Sequence, residues 1–90
     1  MRITYDPHKR TKTLKERGLD FEDAAEVFLG PVFEIEDDRF DYGEKRIVCF
    51  GLLQGRMVVV GYVERRGFRH VFTMRRANDK EKKRFQNKLG

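Results

Sequence analysis

Cysteine is nearly absent: Cys49 is the only one in the 90 residues, so no internal disulfide can form. It lies within Ile47-Val-Cys-Phe50, where a small buried hydrophobe is expected rather than a reactive thiol. No stretch approaches the ~20 apolar residues of a membrane helix, and no apolar N-terminal run marks a signal peptide. A reduced, cytoplasmic setting without a membrane partner is the expectation. Histidine is limited to His8 and His70, and no Cys or acid stands at ligand spacing from either. No metal site and no cofactor are expected. The chain also lacks a P-loop, a GxGxxG loop, a nucleophile elbow, an internal repeat, a linker and any low-complexity segment. At this length it is one small domain, 1–90, with a modest core and stability that is marginal without a partner.

What the chain has is charge, unevenly placed. The net charge is +5. Residues 1–17 hold six Lys/Arg and two acids, 18–45 hold two and ten, and 46–90 hold twelve and three. If the two basic ends meet in the fold, one face is cationic and suits a phosphate backbone.

Local signals give the elements in order. Met1 to Tyr5 reads as an extended lead. Asp6-Pro7 opens a helix that ends at Gly18, with Lys9, Lys12 and Lys15 close to one face. Asp20 opens a second helix, whose buried face is expected to be Phe21, Ala24, Ala25 and Phe28 before the stop at Gly30-Pro31. Phe33 and Ile35 alternate with Glu34 and Glu36 in a half-exposed strand, and an acidic turn follows. Ile47–Leu53 is an interior strand. Gln54-Gly55 turns it into a hairpin of Arg56–Glu64 and Arg69–Arg75, closed by Gly67. Asn78 and Glu81 form a capping box before a last helix that packs through Phe85 and Leu89. The expected fold is α+β: two N-terminal helices, a four-stranded mostly antiparallel sheet and a C-terminal helix.

Arginine gathers at the ends of the hairpin, and this inventory suits RNA. RNA carries its own nucleophile, the 2′-hydroxyl. A protein need only orient it, take its proton and stabilise the charge growing on phosphorus. Guanidinium forks match phosphate oxygens, and histidine carries protons near neutral pH. Strand alternation predicts Arg69, Thr73 and Arg75 on one face, joined by Arg65, with His70, Phe72 and Met74 on the other. Arg65, His70, Arg75 and Arg76 are the candidate catalytic residues; Lys12, Arg69 and Thr73 are the candidate RNA contacts. The proposal requires these arginines to converge on one open pocket. His70 also reads as a satisfied core or edge histidine; Glu81 reads as a helix cap rather than a general base, and Tyr62 as core packing rather than a stacking platform. A non-catalytic module that binds nucleic acid or an acidic partner is the alternative.

Tyr5-Asp6-Pro7 with Lys9, Gly18-x-x-Phe21-Glu22-x-Ala24 and Val27-Phe28 before Pro31 resemble the N-terminal pattern of BrnT toxins. Val59-Val60-x-Tyr62, Arg65, Arg69-His70 and Met74-Arg75-x-Ala77-Asn78-x-x-Glu81 resemble their C-terminal pattern. The resemblance implies a RelE-like, metal-independent ribonuclease toxin of a type II toxin–antitoxin pair that cuts RNA and stops translation. It implies a BrnA-like antitoxin partner, with operator DNA bound only through the complex of the two. Tyr5, Thr13, Arg17, Arg76 and Phe85 stand where the family commonly has Trp, Asn, His, Lys and Tyr. Phe85 has no hydroxyl, so no Tyr-based step applies there.

Overall fold

The computed structural model describes residues 2–89. Five strands form one sheet in the order β1-β5-β4-β3-β2. They are β1 (Arg2–Tyr5), β2 (Val32–Asp37), β3 (Arg46–Leu53), β4 (Arg56–Arg65) and β5 (Phe68–Arg76). The helices are α1 (Pro7–Arg17), α2 (Ala24–Leu29) and α3 (Asp79–Phe85). The class is α+β as expected, but the sheet has a fifth strand. The extended lead is β1, which pairs in parallel with β5 from Arg2↔Phe68 to Tyr5↔Val71. Four residues of mixed polarity carry no periodicity of their own, so only the partner strand makes them a strand. The basic N-terminal part thereby meets the basic hairpin.

Helix boundaries follow the caps read from the sequence. Asp6 accepts from the His8 N–H, and Gly18 closes α1 at φ 69°. Asp20 caps a 3₁₀ turn, Phe21–Asp23, rather than the α-helix itself. That tighter turn resets the spacing. The fully buried set is Phe21, Ala24 and Val27, with Ala25 and Phe28 only half-buried, a correction to the expected face. The Asn78/Glu81 capping box forms as expected.

The sheet separates two cores. On one face Leu19, Phe21, Ala24 and Val27 pack on Cys49, Val58, Val60, Tyr62, Val71 and Met74. On the other, Phe85 and Leu89 pack on Phe50, Met57 and Val59. Burial pushes the Cys49 thiol up to about 12, so it is the inert hydrophobe expected. Among the described residues no helix is long and apolar enough to cross a membrane.

Gly51 sets how closely α2 approaches. A Cβ there would lie 2.5 Å from Val27 Cγ1 and 3.3 Å from Val32 Cγ1. Val27 has no exposure and a stiff branched side chain, so it cannot yield. Gly51→Ala should cost about 1–3 kcal/mol, read as a lowered midpoint of urea unfolding. An unchanged midpoint would show that α2 shifts freely over the strand.

Candidate functional site

The face of the sheet under α3 continues beyond that helix. Pairing in register places Ile35, Val48, Gly61 and Thr73 in one row and Asp37, Arg46, Val63 and His70 in the next. Arg65 follows at the end of β4. Here the face is covered by its own long side chains rather than by a helix. Phe72 and Thr73 reach over Gly61, where a Cβ would lie 2.9 Å from Phe72 Cζ and 2.5 Å from Thr73 Cγ2. The Arg46 guanidinium in turn lies 4.7 Å from the Phe72 ring. A groove of about 390 Å³ runs along the β2 side, lined by Ile35, Asp37, Val48, Phe50 and Arg75 among others.

A bulge decides which arginines share this face. Gly61 pairs with Thr73 but Tyr62 pairs with Val71, so Phe72 is an extra residue in β5. Alternation restarts there. His70, Phe72, Thr73 and Arg75 lie on the open face, while Arg69, Val71 and Met74 lie on the other. The expected grouping of Arg69 with Thr73 and Arg75, and of His70 with Met74, is therefore corrected. Arg69 is sandwiched between Phe28 and Tyr62 at 4.7 and 4.6 Å, and its Nε is buried with no partner among the described residues. It packs the opposite face. Tyr62 is 2 % exposed and donates its hydroxyl to Glu34, which makes it a core residue. Arg76 pairs with Val58 and lines the clefts at the far end of the sheet with Arg56. The candidate arginines do not converge on one pocket.

Three groups do gather, around Val63. His70 is directly across from it, and Arg65 is diagonal to His70, a separation of about 7–8 Å between Cα atoms. Arg65 makes a fork-to-fork pair with Glu44, Nε to Oε2 and Nη2 to Oε1 both at 3.0 Å. That pair holds the Glu44 carboxyl below the usual carboxylate range. His70 Nδ1 bonds to Thr4 Oγ1 at 2.9 Å across the β1–β5 pairing, leaving Nε2 as the ring nitrogen for a ligand. Burial, then the Arg65 charge, pushes the His70 pKa below its ordinary value, with Glu44 opposing.

Arg75 stands about 13 Å along β4–β5 from this corner, four residues at ~3.3 Å each. Its guanidinium is forked onto Glu81 at 2.8 Å for both contacts. Glu81 also accepts from the Asn78 N–H in the capping box and is 18 % exposed. Glu81 is thus a cap that also anchors Arg75, and this pair is harder to open than the exposed one at Arg65. Lys12 shares a cleft of about 290 Å³ with Lys9, Arg17, Phe72 and Thr73, so the two expected RNA contacts Lys12 and Thr73 do meet. Arg17 donates to the Met74 carbonyl at 2.9 Å, satisfying β5 where β1 has ended.

The residues that sequence reasoning missed are Arg46, Phe72, Thr4 and Glu44. A signal existed for two of them. An isolated glycine inside a strand, Gly61, marks a bulge, and Arg46 is where the acidic segment gives way to a basic one. Among the described residues no group of three or more His, Cys, Asp or Glu side chains is placed to hold a metal ion. The family model described as the ribonuclease toxin BrnT of a type II toxin–antitoxin system matches residues 5–81. No curated protein matches the chain.

Proposed function

The chain belongs to the BrnT family of ribonuclease toxins of type II toxin–antitoxin systems, and from that premise we propose that it cuts RNA without a metal at the Arg65–His70 corner of the open face. The observation that carries the reading is the diagonal placement of a guanidinium fork and an imidazole on one sheet surface that α3 leaves uncovered. Nε2 of His70 takes the proton of the 2′-hydroxyl. The 2′ oxygen attacks the adjacent phosphorus, Arg65 stabilises the charge on the non-bridging oxygens, and the 5′ oxygen departs with a proton from solvent. Lys12, Thr73 and Arg75 hold flanking phosphates along the surface. A type II toxin has an antitoxin partner. Here a BrnA-like DNA-binding protein covers this face, and the complex represses its own operon. RNA cutting stops translation.

The exposed pairing of Arg65 with Glu44 does not block this role. Opening such a solvent-exposed pair costs little, and a phosphate that binds the same fork can compete with the carboxylate.

The test is cleavage of a labelled RNA in EDTA. New 2′,3′-cyclic phosphate ends are expected, and binding without new ends would favour the non-catalytic module. Because the His70 pKa lies below ~6.5, its base form predominates at neutral pH. The rate should fall as pH drops through the His70 pKa, and that acid limb should lie below the one a free imidazole would give. His70→Ala should lower the rate about 10²- to 10⁴-fold and remove that acid limb. Wild-type rate and pH profile in His70→Ala would end the assignment.

A further inference from the structure

We propose that Arg46 is a phosphate-binding residue of the same site, held ready by a stack of aromatic rings. The inference rests on the reading above for its ligand, RNA, but on separate geometry for its residue. Arg46 opens β3 and pairs in register with Val63. It is therefore diagonal to Arg65, about 7–8 Å away between Cα atoms, and in the same row as His70. Arg46, Arg65 and His70 surround Val63 on three sides.

The state of this guanidinium differs from that of its neighbours. Arg65 and Arg75 are each forked onto a carboxylate. The Arg46 guanidinium makes no hydrogen bond and no ion pair among the described residues. It lies over aromatic rings instead: Cζ is 3.9 Å from the centroid of Tyr42 and 4.7 Å from that of Phe72. Lys9 of α1 adds a second cation over Phe72 at 5.8 Å. A guanidinium stacked by rings keeps its donors in its own plane, at the edge, available to an anion. The rings restrict the side chain before binding, so less rotamer freedom is lost on binding. Glu44 and the in-register Asp37 lie near Arg46, but each is forked onto another arginine, Arg65 and Arg39. An arginine that is charged, oriented and not hydrogen-bonded to an acid, one diagonal step from the proposed catalytic fork, is placed for the phosphate next to the scissile one. The phosphate backbone of single-stranded RNA is the ligand this geometry fits.

The bulge and Gly61 belong to the same device. The bulge makes Phe72 the extra residue of β5, and the absence of a side chain at Gly61 leaves room for its ring.

The experiment uses a 2′-O-methyl RNA that cannot be cut by this route, so binding is read apart from chemistry, alongside cleavage of the unmodified strand. Arg46→Ala should weaken binding about 10-fold and reduce the salt slope of log K by about 0.7, one phosphate contact on a single strand. Arg46→Lys keeps the charge and should keep the slope while recovering only part of the affinity. A residue with a merely structural role would change the melting temperature and leave the slope alone. Wild-type affinity and slope in Arg46→Ala would overturn the inference even if the protein cuts RNA. Wild-type protein that binds the strand through Arg46 but makes no new ends would sustain this inference and remove the nuclease reading. No RNA binding at all would remove both.

Discussion

Arg65→Ala is expected to lower RNA cleavage by about 10²- to 10³-fold, the loss seen when one preorganised donor to a developing oxyanion is removed. The fold should hardly notice. The Arg65 side chain is 41 % exposed and its Glu44 partner 46 % exposed, and such solvent-screened pairs contribute little to stability. Folding and activity are therefore separable at this position: an unchanged thermal melt with a collapsed rate is the expected pattern. Arg65→Lys should recover a small part of the rate, because an ammonium keeps the charge and loses the fork. Glu44→Gln should bind RNA at least as tightly as wild type, since it releases the fork from its carboxylate. A rate for Arg65→Ala within a few-fold of wild type would move the chemistry away from this corner.

Phe21→Ala is expected to have the largest effect on stability. Phe21 has no exposed surface, and its ring meets Tyr5 edge-to-face at 6.0 Å. It sits at the joint where the 3₁₀ turn, α2 and β5 come together. Truncating such a ring costs about 3–5 kcal/mol, out of a total of about 5–15 kcal/mol for a domain of ordinary stability. At about 4–8 °C per kcal/mol for this size, the melting temperature should fall by more than about 12 °C. The site lies on the opposite face of the sheet, so the fraction that stays folded at low temperature should cut RNA at the wild-type rate per folded molecule. A melt within about 3 °C of wild type would mean that the core closes over the gap.

Much of the local structure was legible because its causes are local. Asp6-Pro7, Gly18, Gly30, Gln54-Gly55 and the Asn78/Glu81 box act through their own backbone or that of residues within a turn, and each appears where the sequence puts it. Cys49, Phe85 and Leu89 are buried as their neighbours require. β1 was not legible as a strand, because its hydrogen bonds come from β5, more than sixty residues away. The buried face of α2 was only partly legible: Phe21 and Ala24 are buried and Phe28 packs at the margin of the same core, but after the tighter 3₁₀ turn it is Val27 that is fully buried.

The side-chain sequence alone fixed the fold class, the family pattern and the excess of cations in the hairpin, since patterning, caps and charge are written residue by residue. The tertiary structure alone decided which cations lie together. One extra residue at Phe72 reverses the faces of everything after it in β5, and the pairing of β3 with β4 brings Arg46 beside Arg65. Register and bulges arise from contacts between distant segments, and no local rule encodes them.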